Sequence, residues 1–251
     1  MVAATCWRCG GALEPAVLCA SCGAVQAPPP GADHFTVLGL PVHPAVDEQV
    51  LSERYYEISR RVHPDRFQAS DPRELAQAVS ATAAVNSAFR SLRDVESRGR
   101  YWLERAGGSL GRDNASVPPA LAATVFEVQE KLDELRHASG DARSSVRGEV
   151  DRTREELERR RAERRSALES MLRDWPGATN GTAVSPANGV GTANGPGAAN
   201  GSSAANGSAH ANGSNGAHAP TRGDQAALKA LLSELSYLRT LERDVRAALE
   251  S

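Results

Sequence analysis

Between residues 51 and 62, apolar side chains recur at Leu51, Tyr55, Ile58 and Val62, at spacings of four, three and four. That period puts them on one face of a helix, and Ser52, Glu53, Arg54, Arg60 and Arg61 fill the remainder. Pro64 comes next. The residue before a proline is pushed out of the α region, so this helix should end near Val62 or His63. Asp65 suits the turn beyond, because its carboxylate can accept from nearby backbone N–H groups. Asp71-Pro72-Arg73-Glu74 then reads as a helix start, with an aspartate cap, proline at the first helical position and a glutamate able to reach back. Leu75, Val79, Thr82, Val85, Ala88, Phe89 and Leu92 supply the facing stripe. The two helices should pack antiparallel, with His63-Pro64-Asp65 exposed in the connecting loop.

The second half of the chain repeats the helical period. At about 100° per residue, Leu121, Val125, Val128, Leu132 and Leu135 share a stripe. Phe126 lies roughly 140° from Leu121, on the face that carries Ala123, Glu127, Glu130 and Glu134. A middle helix over about 142–175 has Val146, Val150, Leu157, Leu168, Leu172 and Trp175 as its stripe, interrupted by ERRRAERRS from Glu158 to Ser166. The last helix sets Leu228, Leu231, Leu235, Leu238, Val245 and Leu249 inward, with Tyr237 off centre near Leu241. An aromatic off the buried stripe points to contact with another protein.

Composition narrows the function classes. The 251 residues make one or two ordinary domains, and 29 basic against 31 acidic residues leave a net charge of -2. No global field draws the chain to nucleic acid or a membrane. From Asp151 to Arg165, seven arginines alternate with five acids, the pattern of a solvated helix laced with ion pairs rather than of a nucleic-acid surface. No apolar run approaches a membrane span, and the N-terminus lacks a secretory pattern, so the expected location is cytoplasmic. Asn-Gly recurs from Asn180 to Asn215 among Ala, Ser, Thr and Gly. Such flanks cannot offset the entropy of ordering, and residues 176–223 read as a long disordered loop between two bundle helices. Loop-closure cost grows only logarithmically, so the bundle tolerates it.

All four cysteines fall in the first 22 residues, as Cys6-x-x-Cys9 and Cys19-x-x-Cys22, and Gly10 and Gly23 each follow the second cysteine of a pair. Two such knuckles supply four sulfurs to a structural zinc ion. Two disulfides are an alternative that needs an oxidising compartment. A redox CxxC is another, which needs a βαβ context that the sequence lacks. The segment Ala27-Pro28-Pro29-Pro30-Gly31 reads as a stiff spacer.

These residues carry a resemblance. DHFTVLGLP, RRVHPDRF and AVNSAFRSLRD resemble the J domain of DnaJ-type co-chaperones. The CWRCG…LCASCGAVQAP…DHF stretch, the ERAGG ending and EKLDEL resemble the iron–sulfur cluster co-chaperone family HscB (Hsc20), in its form with an N-terminal tetracysteine module. The likeness covers almost everything except the Asn-Gly tract. It implies a mainly α chain: a four-cysteine zinc module over 1–26, a J domain over 33–108 and a three-helix, scaffold-binding bundle over 116–251. It further implies that His63, Pro64 and Asp65, with Arg54, Arg60 and Arg61, dock on a DnaK/HscA-type ATPase and stimulate it. Ala122, Ala123, Phe126, Glu127, Glu130, Glu134 and Tyr237 match the surface that binds an IscU-like cluster scaffold. The family usually carries larger apolar residues where this chain has Ala122 and Ala123, which implies a weaker or shifted client surface.

Catalysis by His63 is not expected, because a His and an Asp flanking a proline do not form a nucleophile–base–orienter set. The alternatives are a general J-domain adaptor for other clients and a zinc-ribbon nucleic-acid binder using the arginine-rich helix.

Overall fold

A computed structural model of the chain describes residues 5–11, 17–29, 31–111, 117–176 and 221–250. Among the described residues the seven α-helices are α1 (His34–Val37), α2 (Glu48–Val62), α3 (Pro72–Arg93), α4 (Val95–Arg105), α5 (Ala122–His137), α6 (Gly140–Arg173) and α7 (Arg222–Glu250). The mainly helical class is as expected. Residues 177–220 of the Asn-Gly tract lie outside the described residues, while Arg222 and Gly223, expected to belong to that loop, instead open α7.

Aspartates set where several helices begin. Asp33 accepts from the N–H of Phe35 and Thr36, Asp47 from Gln49 and Val50, Asp71 from Arg73, and Asp94 from Ser97. Each satisfies donors that the first helical turn would otherwise leave open. α2 ends at Val62, with His63 extended before Pro64. Leu51 and Val62 are buried against Phe35, Val85, Ala88 and Leu92 of the same cluster, and Tyr55 and Ile58 cover its edge. One expectation about α3 is corrected. Val79 is 52% exposed, and the inward register runs Ala78, Ala81, Val85, Ala88 and Leu92. Val85, Ala88 and Leu92 lie inward as expected, and the sequence reading departs at Val79, where the neighbouring Ala78 is buried instead.

The cysteine module is not held away from the helices by its proline segment. Val17 and Val25 belong to the same apolar cluster as Phe35, Ala78 and Ala81. Ala27 N donates to Gln77 Oε1 at 2.5 Å, and Arg8 Nη1 lies 3.5 Å from Glu74 Oε1. The Arg73 guanidinium sits 5.3 Å above the Trp7 ring. The module's own cluster is only Cys6, Cys19 and Ala24 with Trp7 against it, so its valines use the core of the helical unit.

α5, α6 and α7 share a core of Leu121, Val128, Leu135, Val150, Leu157, Leu238 and Val245. The long α6 and α7 continue beyond it to α4, where Val95 and Leu103 pack with Leu168, Leu172, Trp175, Leu228 and Leu232. Gly99 marks a close approach: a Cβ there would stand 3.2 Å from Leu232 Cδ2 and 3.3 Å from Leu168 Cδ1. At this junction the arginine run departs from a solvated face. Arg161 and Arg165 both reach the buried Glu96, at 3.0 and 2.8 Å. Arg161 also pairs with Glu242, Arg165 with Asp94, and Arg164 with Glu234. Arg154–Glu158 remains a surface i,i+4 pair. No described helix is long and apolar enough to cross a membrane.

Candidate functional site

The corner after α2 is fixed by short-range bonds. Asp65 N donates to His63 Nδ1 at 3.3 Å, and Arg66 N donates to His63 O at 3.1 Å. Gln68 Nε2 donates to Asp65 Oδ1 at 3.2 Å. Thr82 of α3 donates its hydroxyl to Val62 O at 3.0 Å, which pins the end of α2 just before the corner. The tripeptide is displayed, with the His63 side chain 52% and the Asp65 side chain 72% exposed. Pro64 heads a single 3-10 turn, Pro64–Phe67, that packs on α3. The result is a stiff projection with backbone groups satisfied internally and two polar side chains facing solvent.

The three arginines assigned to this surface differ in state. Arg54 Nη1 lies 3.1 Å from Glu57 Oε2, and Arg61 Nη1 lies 3.9 Å from Glu57 Oε1. Arg60 turns back along the helix, its Nε donating to Tyr56 O at 3.2 Å.

On α5, Ala122, Ala123, Phe126, Glu127, Glu130 and Glu134 are all exposed, and Phe126 at 71% is an aromatic ring standing in solvent. Tyr237 differs, being half-buried against the bundle core. The start of α5 has no side-chain cap of its own. Arg160 of α6 reaches across to Ala120 O at 2.9 Å and Thr124 Oγ1 at 2.8 Å, holding in place the turn that carries Ala122, Ala123 and Phe126. Sequence reading missed this role, because an arginine bonding a carbonyl forty positions away leaves no local pattern.

The cysteines converge. The Sγ atoms of Cys6, Cys9, Cys19 and Cys22 all lie within 4.8 Å of one another, with Cys6–Cys22 at 3.7 Å and Cys9–Cys19 at 3.8 Å. A tetrahedral zinc with bonds near 2.3 Å spaces its sulfurs at about 3.8 Å, so the cluster fits that ion. The two knuckles match. Gly10 N donates to Cys6 O and Gly23 N to Cys19 O, each at 2.9 Å, and both glycines have a positive φ, 70° and 71°. Burial pushes the Cys6 thiol up, but bonds from the Cys9 and Arg8 N–H groups and from Cys9 and Cys22 outweigh it and bring its pKa down to about 6. At Cys22 the Ala24 N–H lowers the pKa, yet burial and the three other sulfurs prevail and push it up to about 12. A cation among the four sulfurs would hold them as thiolates, and a structural metal there would cross-link the two knuckles.

No family model matches the chain. Relatives do. The chain is 36% identical to the co-chaperone protein HscB homolog of Bordetella avium over 126 residues, which span 50% of this chain and 74% of that protein. The chain belongs to the HscB co-chaperone family. With the HscB homolog of Bordetella petrii the identity is 36% over 141 residues, 56% of this chain and 78% of the relative. The fold is similar to the crystal structure of human co-chaperone protein HscB, with a TM-score of 0.59 and 20% identity across 97% of this chain and 98% of that one. The protein is accordingly a J-domain co-chaperone, and its relatives are co-chaperones rather than enzymes.

Proposed function

We propose that this co-chaperone serves iron–sulfur cluster assembly in the cytoplasm. Its bundle, 116–251, binds an IscU-like scaffold through Ala122, Ala123, Phe126, Glu127, Glu130, Glu134 and Tyr237. Its J domain, 33–108, presents that scaffold to a DnaK/HscA-type chaperone and stimulates its ATPase through His63, Pro64 and Asp65, with Arg54, Arg60 and Arg61 alongside. The observation that carries the reading is the internally bonded His63-Pro64-Asp65 corner, whose two polar side chains are exposed. A group doing chemistry would need a nucleophile and an enclosed pocket beside it, whereas a rigid projection suits docking. Phe126 beside three exposed glutamates gives the bundle a second surface, suited to a partner that is basic around an apolar contact. Zinc at Cys6, Cys9, Cys19 and Cys22 would brace the N-terminal module, and through Val17 and Val25 the J-domain core as well.

The test is steady-state ATP hydrolysis by the DnaK-type partner with increasing co-chaperone, wild type against His63→Gln. Stimulation by wild type and none by the variant is expected. Equal stimulation by both would rule the reading out.

A further inference from the structure

Gln26 is a polar residue with almost no access to solvent, 3% exposed, at the inner side of the sulfur cluster. Its Nε2 donates to Ala24 O at 3.2 Å and to Cys6 Sγ at 3.3 Å. A backbone carbonyl can only accept, so the atom facing Ala24 is the amide nitrogen, and its second hydrogen is the one aimed at the sulfur. The two acceptors belong to different knuckles. Cys6 opens the first, while Ala24 closes the second by accepting from Cys19 N at 2.9 Å. The main chain at Gln26 is held as well. Its N–H donates to Val17 O at 2.9 Å beside the Leu18–Val25 bridge, and the next N–H, that of Ala27, reaches Gln77 of α3. The N–H groups of Arg8 and Cys9 turn toward the Cys6 sulfur from within its own knuckle. The Gln26 amide is the donor that comes from the other one. Cys6 and Cys19 are buried, whereas Cys9 and Cys22 are exposed, so Cys6 depends on the chain for hydrogen bonds that water can give the outer pair.

We propose that Gln26 is a positioning residue for the metal, its amide joining the two knuckles and directing an N–H···S bond at the buried Cys6. The proposal rests on the reading that the four cysteines hold zinc, and it adds to that site a residue outside the CxxC pairs. A divalent ion leaves four thiolates with surplus negative charge. A donor aimed at one sulfur spreads that charge and fixes the direction of the ligand. An apolar side chain at position 26 would fill the space without doing either.

The experiment loads reduced wild type, Gln26→Met and Gln26→Leu with Zn2+ or Co2+ alone. Both replacements stay close to glutamine in size and lack the donor. Competition with a chromophoric chelator reads zinc affinity. Absorption at saturating cobalt reads the assembled site, where the sulfur-to-metal charge-transfer band follows the electron richness of the thiolates. The expected result is a loss of about tenfold or more in zinc affinity for both variants, with the tetrahedral d–d bands kept. The charge-transfer band should move to lower energy, because a thiolate without its N–H donor gives up charge more readily. A role in packing alone would leave that band in place. Affinity within about twofold of wild type, or an unmoved band, overturns the proposal. The wild type separates the two layers. If it shows no four-sulfur cobalt spectrum, the zinc reading itself fails, and the Gln26 proposal with it.

Discussion

Two arginine runs, YYEISRR at the end of α2 and ERRRAERR in α6, read alike in the sequence and meet opposite surroundings. In α2, Arg54 and Arg61 find an acid one turn away on their own helix, and the pairs stay in solvent. In α6, Arg161 and Arg165 converge on Glu96, whose side chain is 5% exposed. Their partners come from α4, α7 and the turn before α4, between 65 and 81 positions away. What separates the runs is helix phase. Arg161, Arg164 and Arg165 fall where the stripe through Leu157, Leu168 and Leu172 would continue, so they point inward, between the helical unit and the bundle. The difference teaches that a gap in an apolar stripe filled by arginine can mark a buried clamp. A pair on the surface is worth about 0–1 kcal/mol. Leaving one buried charge unpartnered costs about 3–5 kcal/mol.

The largest expected effect follows directly. Glu96→Ala takes the shared acid from Arg161 and Arg165, leaving each with one partner, Glu242 and Asp94, and should lower unfolding stability by about 2 kcal/mol, while Glu57→Ala in α2 should cost less than about 1 kcal/mol. Urea titrations of both variants break the comparison if the two losses are equal. A middle case is the docked cysteine module, tied to α3 through the exposed Arg8 of the module and the exposed Arg73 of α3. Chelation, or Cys19→Ser, should unfold the module, because a metal site of this size supplies its own folding energy. Exchange of amide hydrogens should then rise several-fold across residues 73–81, while α7 stays protected.

Smaller again is the response to acid. Burial pushes the Asp94 carboxyl up, but the Ser97 N–H and Arg165 outweigh it and hold it below the ordinary carboxylate value. A folded pKa below the unfolded one means that the stabilisation is complete at neutral pH. It fades as the pH drops below about 4, through the folded value. Asp94→Asn should therefore flatten the acid limb of the stability–pH curve. The smallest effect belongs to Arg54→Ala with Arg61→Ala, which should change stability by less than about 1 kcal/mol, read by the same urea titration.

Local signals made much of this molecule readable in advance. The end of α2 follows from Pro64, the start of α3 from Asp71-Pro72, and the sulfur cluster from two CxxC pairs at the right separation. The helical period also placed Phe126 outside. Contacts between segments were not readable. The stripe on α3 was misplaced at Val79 alone, because Ala78 and Ala81 look less like core than a valine although both are fully buried. The fit of Val17 and Val25 into the helical core, the reach of Arg160 to α5 and the Glu96 clamp all join positions far apart in the chain. Periodicity within one element cannot reveal them.

The proposed scaffold binding and chaperone stimulation would come from one body, clamped where α4, α6 and α7 meet. The most direct test compares scaffold-dependent ATPase stimulation by wild type with that of an equimolar mixture of His63→Gln and the Phe126→Ala/Tyr237→Ala double variant. Each variant keeps one surface and lacks the other. The prediction is synergy between scaffold and co-chaperone for wild type and none for the mixture. Full synergy in the mixture would contradict the account.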